Sequence, residues 1–260
     1  MSYRLFCVAA LFLAGVTGAA SETEKGDPLP ATIIAAVADE HRPAEQTHLD
    51  AQRKPAQMLL FAGVKTGDRI ADFMPGNAYF TRILSKAVGP HGKVYAFLPA
   101  EQLKNCPPAE VAGAQAITRD PVYGNAVLIS ASVNEFETPL PVDVLWTAQN
   151  YHDLHDSFMG PANIEVLNKR FFKAVKPGGV FIVIDHAAAA GSGLKDTETL
   201  HRIDPLALRQ EIEAAGFVFE AQNNDLENAA DDHSRTVFDP LVRGKTDQFV
   251  FKFRKPGSTP

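Results

Sequence analysis

The sequence predicts an α/β fold built on a mostly parallel sheet with helices on both faces. Three observations carry that expectation. Strand and helix signals alternate along the main part of the chain, the pattern that produces parallel sheets. Residues 70–81, Ile-Ala-Asp-Phe-Met-Pro-Gly-Asn-Ala-Tyr-Phe-Thr, read as a buried strand, a tight turn and the start of a helix. Residues 217–223 and 248–253 are rich in phenylalanine and joined by a long polar loop, which reads as a terminal antiparallel pair.

Taken in order, residues 1–20 carry Arg4, an apolar run over 5–16 and the small residues Gly18, Ala19 and Ala20, the layout of a cleavable signal peptide. Cleavage after Ala20 is expected, giving a periplasmic or secreted protein with no stable membrane anchor, since the apolar run is short for a span. Residues 21–63 read as an N-terminal helical extension, with helices over 30–42 and 44–63 and Pro55 kinking the second or restarting it. Residues 64–260 form the main domain. There, 79–88 is a helix, Gly89-Pro90-His91-Gly92 a stop and 94–98 a strand. Residues 99–141 are interrupted by Pro107, Pro108, Pro121 and Pro139, with weak strand signals at 116–118 and 127–129. A strand over 142–148, an amphipathic helix over 162–175, a turn at Pro177-Gly178-Gly179 and an apolar strand over 180–185 follow. Residues 205–215 are helical and stop at Gly216.

Composition narrows the function classes. A chain of 260 residues with formal charge −6, more negative still without Arg4, is not a general nucleic-acid binder. Its length suits one well-cored domain. Beyond the signal segment only Cys106 remains, so neither an internal disulfide nor a cysteine metal site is available.

In such a sheet, ligands bind at the carboxyl ends of the strands. Asp72, Leu98, Asn150 and Asp185 fall at those ends. The turn after Asp72 brings bare amides and a helix N-terminus to a small ligand. Asn150, Tyr151, His152, Asp153, His155 and Asp156 follow one strand, and Asp185-His186 ends the next, with His201 in the crossover beyond. His152, His155, His186 and His201 are therefore the catalytic candidates, an imidazole being a competent base near neutral pH. A metal held by these histidines and a carboxylate is the competing arrangement. No compact ligand spacing occurs among them, and no metal is expected. Arg202 pairs with Asp204 or meets an anionic substrate. Residues 231–233 and 243–246 form a lid or a solvated face, and the phenylalanines from Phe171 to Phe251 read as packing.

Asp72 to Thr81, Gly92-Lys93-Val94-Tyr95-Ala96, Asp143-Val144-Leu145-Trp146 and Lys176-Pro177-Gly178-Gly179-Val180 together resemble the class I S-adenosylmethionine-dependent methyltransferases, over roughly residues 58–253. More narrowly, Asn150-Tyr151-His152-Asp153-Leu154-His155, Leu200-His201-Arg202-Ile203-Asp204 and Arg243-Gly244-Lys245-Thr246-Asp247 look like a bacterial family of signal-peptide-bearing methyltransferases. The resemblance implies a Rossmann-like seven-stranded sheet and S-adenosylmethionine as cofactor. It implies cofactor contacts from Asp72, Met74, Pro75, Gly76, Asn77, Ala78, Leu98, Glu101 and Asn150. Met74, Gly76 and Ala78 align with three glycines of the family turn. Leu98 stands where related enzymes present an acid to the ribose hydroxyls, and Glu101 lies three residues on. The implied activity is methyl transfer to a small-molecule acceptor, with His152 or His155 as base. Two other readings use the same residues: hydrolysis or elimination by the His/Asp cluster, metal-assisted or not, and a noncatalytic small-molecule-binding module.

Overall fold

The computed structural model describes residues 29–160 and 162–257. The expected signal segment and cleavage position lie outside them. Among the described residues, no helix is long and apolar enough to cross a membrane.

Four short helices come first: α1 (Ala31–Val37), α2 (Ala44–Thr47), α3 (Asp50–Arg53) and α4 (Pro55–Ala62). The expected helix over 44–63 is thus three pieces. Pro55 takes the first helical position of α4, where its missing N–H is no loss, and Lys54 before it turns left-handed at φ 43°. Then come β1 (Arg69–Phe73), α5 (Tyr79–Val88), β2 (Lys93–Phe97), α6 (Ala100–Asn105), α7 (Pro108–Ile117), β3 (Ala126–Ile129) and β4 (Val142–Ala148). The chain continues through α8 (Ile164–Ala174), β5 (Val175–His186), α9 (Thr197–Leu200), α10 (Pro205–Ala214), β6 (Val218–Asn223) and β7 (Gln248–Arg254). The weak strand expected at 116–118 is instead the end of α7, whose two prolines open the helix rather than break a strand. The one at 127–129 is β3.

The seven strands lie in the order β3-β2-β1-β4-β5-β7-β6. The first five run parallel and β7 is antiparallel to both neighbours, as the sequence led one to expect. Alternation along the strands feeds two cores. Ile70, Val94, Val144, Trp146, Ile182 and Val250 pack on one face with Ile33 of α1, Met58 and Leu59 of α4 and Ile83 of α5. Ala71, Phe73, Phe97, Leu145, Phe181 and Phe253 pack on the other with Phe171 of α8 and Ile212 of α10. Both faces being covered is why these strands carry few polar residues.

The expected Pro177-Gly178-Gly179 turn is an excursion inside β5: Val142 pairs with Val175 and Val144 with Val180, so four residues bulge opposite one. Gly178 takes φ 77°, and a Cβ on Gly179 would press to 2.8 Å on the Asp143 carbonyl. Only glycines fit both places.

Candidate functional site

Crossing from β1 into α5, the chain passes through Met74, Pro75, Gly76, Asn77 and Ala78. Met74, Gly76 and Ala78 all have positive φ, at 58°, 53° and 60°. The backbone keeps the shape of a three-glycine turn, although two of the three residues carry side chains that disfavour it. Met74 folds away from the turn: it is 1% exposed and belongs to the core of Phe73, Tyr151 and Leu154. That side chain is therefore spent on packing and does not fill the hollow beside the turn.

A cavity of about 660 Å³ opens beside this turn, within the ~300–1,000 Å³ usual for small-molecule sites. Its floor is Asp72, Met74, Pro75, Gly76 and Asn77, with Ala148, Gln149 and Asn150 from the end of β4. Asn150 Nδ2 donates to the carbonyls of Met74 and Ala148 at 2.9 and 2.7 Å, tying the two strand ends together. One wall is Gln46, Leu49 and Arg53 from the leading helices, and the opposite wall is Ala109, Ala112, Gly113 and Ala116 of α7. Glycine matters in that wall because α7 lies directly on the turn. The Gly113 N–H donates to Asn77 Oδ1 at 3.0 Å, and a Cβ at Gly113 would overlap the Asn77 carbonyl.

Among the described residues, four charged side chains line the cavity: Glu45, Arg53, Asp72 and Arg82. Asp72 is 3% exposed and accepts from the Thr81 hydroxyl at 2.6 Å. Burial pushes its carboxyl up to about 7, against the opposing pull of Thr81 and Arg53. Arg53 lies over the Tyr79 ring at 4.4 Å and donates to Gln149 Oε1 at 2.7 Å. Two further arginines, Arg82 in the cavity lining and Arg42 outside it, are committed. Arg42 makes a forked pair with Asp50, and Arg82 holds the Asn77 and Ala78 carbonyls. Arg53 has no carboxylate within ion-pair distance among the described residues and so remains open to an anionic group.

Several expected contacts fall elsewhere. Leu98 is fully buried with Val111 and Ala114 under α7, and does not line the cavity. Glu101 turns away to accept from the Ser132 hydroxyl and the Val133 N–H at 2.8 and 2.9 Å, because it is needed to close the chain after β3. Ala78 is fully buried and shapes the turn from behind.

None of the four histidines lines the cavity. His152, at 3% exposure, sits between two carboxylates: Nδ1 is 2.7 Å from Asp185 and Nε2 is 3.1 Å from Asp153. Burial alone would lower it, but Asp185 and Asp153 prevail and hold the imidazole well above its ordinary value. Both carboxylates therefore favour its protonated form. His186 is the reverse case. Burial pulls it down to about 3, and its Nδ1 is 2.8 Å from the Thr246 hydroxyl. His201 stacks edge-on to His152, with ring centroids 5.5 Å apart. His155 does not join them; its Nε2 lies 3.2 Å from Glu211, which also accepts from the Tyr151 hydroxyl at 3.0 Å. Arg202 makes an ion pair as expected, but with Asp231 through two bonds of 2.8 and 3.1 Å. Asp204 instead caps α10 at the Leu206 N–H.

Among the cavity residues that the sequence did not disclose are Arg53, Gln149 and Gly113. Gln149 carried a local signal, standing between a strand end and Asn150. Arg53 and Gly113 reach the turn from segments distant in sequence and carried none.

No protein-family model matches the chain, and no curated protein matches it. Solved structures do. It is similar to a SAM-dependent methyltransferase from Aquifex aeolicus, with 19% identity, TM-score 0.55, 82% of this chain covered and 98% of that one. A S-adenosylmethionine-dependent methyltransferase from Mesorhizobium loti gives 14% identity and TM-score 0.54 over 79% and 99% of the two chains. The cyclase SpnF gives 15% identity and TM-score 0.56 over 86% and 92%. The chain has the class I methyltransferase fold.

Proposed function

We propose that the chain is an exported S-adenosylmethionine-dependent methyltransferase, akin to the signal-peptide-bearing bacterial family, that acts on a small-molecule acceptor. The observation that carries this reading is the turn at residues 74–78. It keeps the glycine conformation, its methionine is folded into the core, and a polar cavity stands open beside it. The residues present suit an adenosyl sulfonium compound. Arg53 matches an amino-acid carboxylate by its forked, desolvated charge, and Asp72 favours a cationic group when ionised. Asn150 and the turn fix the chain beneath them.

The bound sulfonium supplies an electrophilic methyl group. The protein's contribution is alignment, since holding two reactants at attack distance removes much of the entropic barrier. His152 is a poor base for this site, because it lies outside the cavity and two carboxylates stabilise its protonated form, and His186 at about 3 is too weak to draw a proton at neutral pH. His155 is turned to Glu211 and neither it nor His201 lines the cavity, so the acceptor arrives already nucleophilic, as a free amine or a thiolate.

Titration calorimetry of the mature protein with S-adenosylmethionine tests the reading. Binding is expected, with Arg53→Ala weakening it by about 10- to 100-fold for the loss of one charge-assisted pair. No heat at about millimolar ligand would remove the cofactor assignment and leave the fold alone.

A further inference from the structure

We propose that His152, Asp153 and His201, with Asp156 beside them, form a binding site for a divalent cation of the zinc class. One donor atom from each of the first three lies within 4.8 Å of the others. His152 Nε2 is 3.1 Å from Asp153 Oδ1. His201 Nδ1 is 3.5 Å from that same oxygen and 3.6 Å from Asp156 Oδ2. Nitrogen and oxygen ligands at about 2.0–2.2 Å from a tetrahedral zinc stand about 3.3–3.6 Å from each other. The His201 separations match that spacing and are too long for good hydrogen bonds.

Asp156 supplies an independent observation. Its side chain is 1% exposed, and both carboxylate oxygens are buried with no hydrogen-bond partner. A bare carboxylate in that position is not tolerated without a counter-charge, and a cation shared with His201 and Asp153 provides one. The support behind the ligands is also in place. Asp185 is fully buried, takes the His152 N–H at 2.9 Å and holds Nδ1 at 2.7 Å, which leaves Nε2 facing Asp153. A carboxylate behind a ligating imidazole is the arrangement that fixes its tautomer and raises its basicity.

Two imidazoles and one carboxylate, with the second carboxylate of Asp156 beside them, select zinc, manganese or iron over magnesium and calcium, which favour all-oxygen sites. The site ties the short 3-10 helix His152–His155 after β4 to the chain just beyond α9. It lies apart from the ligand cavity, so its fate is independent of the cofactor reading. His201 is brought to residues 152–156 only by the fold, which is why the spacing in the sequence gave no sign of a metal site.

The test uses the mature protein, stripped with a chelator and titrated with Zn²⁺ against a chromophoric competitor and with Co²⁺ for its visible absorption. Equimolar binding is expected, together with a zinc-dependent rise in Tm. His201→Gln and Asp156→Asn are each expected to weaken zinc binding by at least about 10-fold, while His41→Gln, at an exposed histidine, leaves it unchanged. Asp156→Asn carries the comparison if His201→Gln does not fold by circular dichroism. Failure of the unmodified protein to bind equimolar zinc, or equal affinity in the Asp156→Asn protein, would overturn the proposal and leave these residues as a hydrogen-bonded cluster without a metal.

Discussion

At the residue scale, Asp72 is a carboxyl group held in the wrong solvent for its charge. Burial sets it at about 7, so the native protein keeps this proton while the unfolded chain releases it near 3.8. Between those values the native state binds more protons, and stability falls as pH rises through the interval. The effect is on the order of 4 kcal/mol. Asp72→Asn is expected to raise Tm at about pH 8, where the native carboxylate is ionised, and to flatten the decline between about pH 5 and 8. Thermal melts at the two pH values decide it; an unchanged slope would mean that Asp72 titrates normally. The turn offers a paired test. Ala78 takes φ 60° at a cost of roughly 1 kcal/mol relative to glycine, so Ala78→Gly is expected to stabilise by up to that amount. Met74→Gly relieves the same strain at φ 58° but empties a buried site, and is expected to lose about 2–4 kcal/mol. Chemical denaturation of both variants separates strain from packing. Asp72, Gly76 and Asn150 were legible in the sequence because strand, turn and helix start are local signals. Leu98 and Glu101 were not, since whether a residue at a strand end faces a cavity depends on which helix settles over it.

At the scale of elements, α7 decides the shape of the site. It covers the turn on one side, burying Leu98 against Val111 and Ala114, and so displaces the expected ribose contact. The sequence hid this helix because Pro107 and Pro108 look like breaks when nothing shows that a helix begins there. The same ambiguity attached to Pro55. By contrast β4, α5 and the apolar part of β5 were readable to within a residue or two, each being a periodic run bounded by clear stops. Gly113→Ala tests how tightly α7 is seated. Its Cβ meets the Asn77 backbone, which cannot swing aside, so the helix must shift. A loss of about 1–3 kcal/mol is expected from that overlap, with a weaker grip on S-adenosylmethionine. A variant that keeps both stability and affinity would show that the helix approaches the turn less closely.

For the whole molecule, the long connection between β6 and β7 is a strap stapled to the fold. Arg202 is fully buried and donates to Asp231, to the Arg235 carbonyl at 2.9 Å and to the Ala187 carbonyl at 2.9 Å. Asp231 also accepts the Asp247 N–H at 2.7 Å, so one buried pair joins the crossover after β5, the middle of the strap and the approach to β7. The charge pattern of residues 231–233 fits a solvated face or a lid, and sequence alone does not separate those from a tether, because the partner of Asp231 stands 29 residues earlier. Removing one member of such a pair strands a charge in the interior, which costs about 3–5 kcal/mol, whereas replacing both by apolar side chains is often close to neutral. Asp231→Ala and Arg202→Ala are each expected to lose stability in that range. The double variant Arg202→Met with Asp231→Leu is expected to recover more than half of the loss, although the Asp247 N–H loses its acceptor. Equilibrium denaturation with limited proteolysis of the strap measures both effects. If the single variants unfold no earlier than the parent, the strap is held by its backbone bonds alone and the ion pair is incidental to the fold.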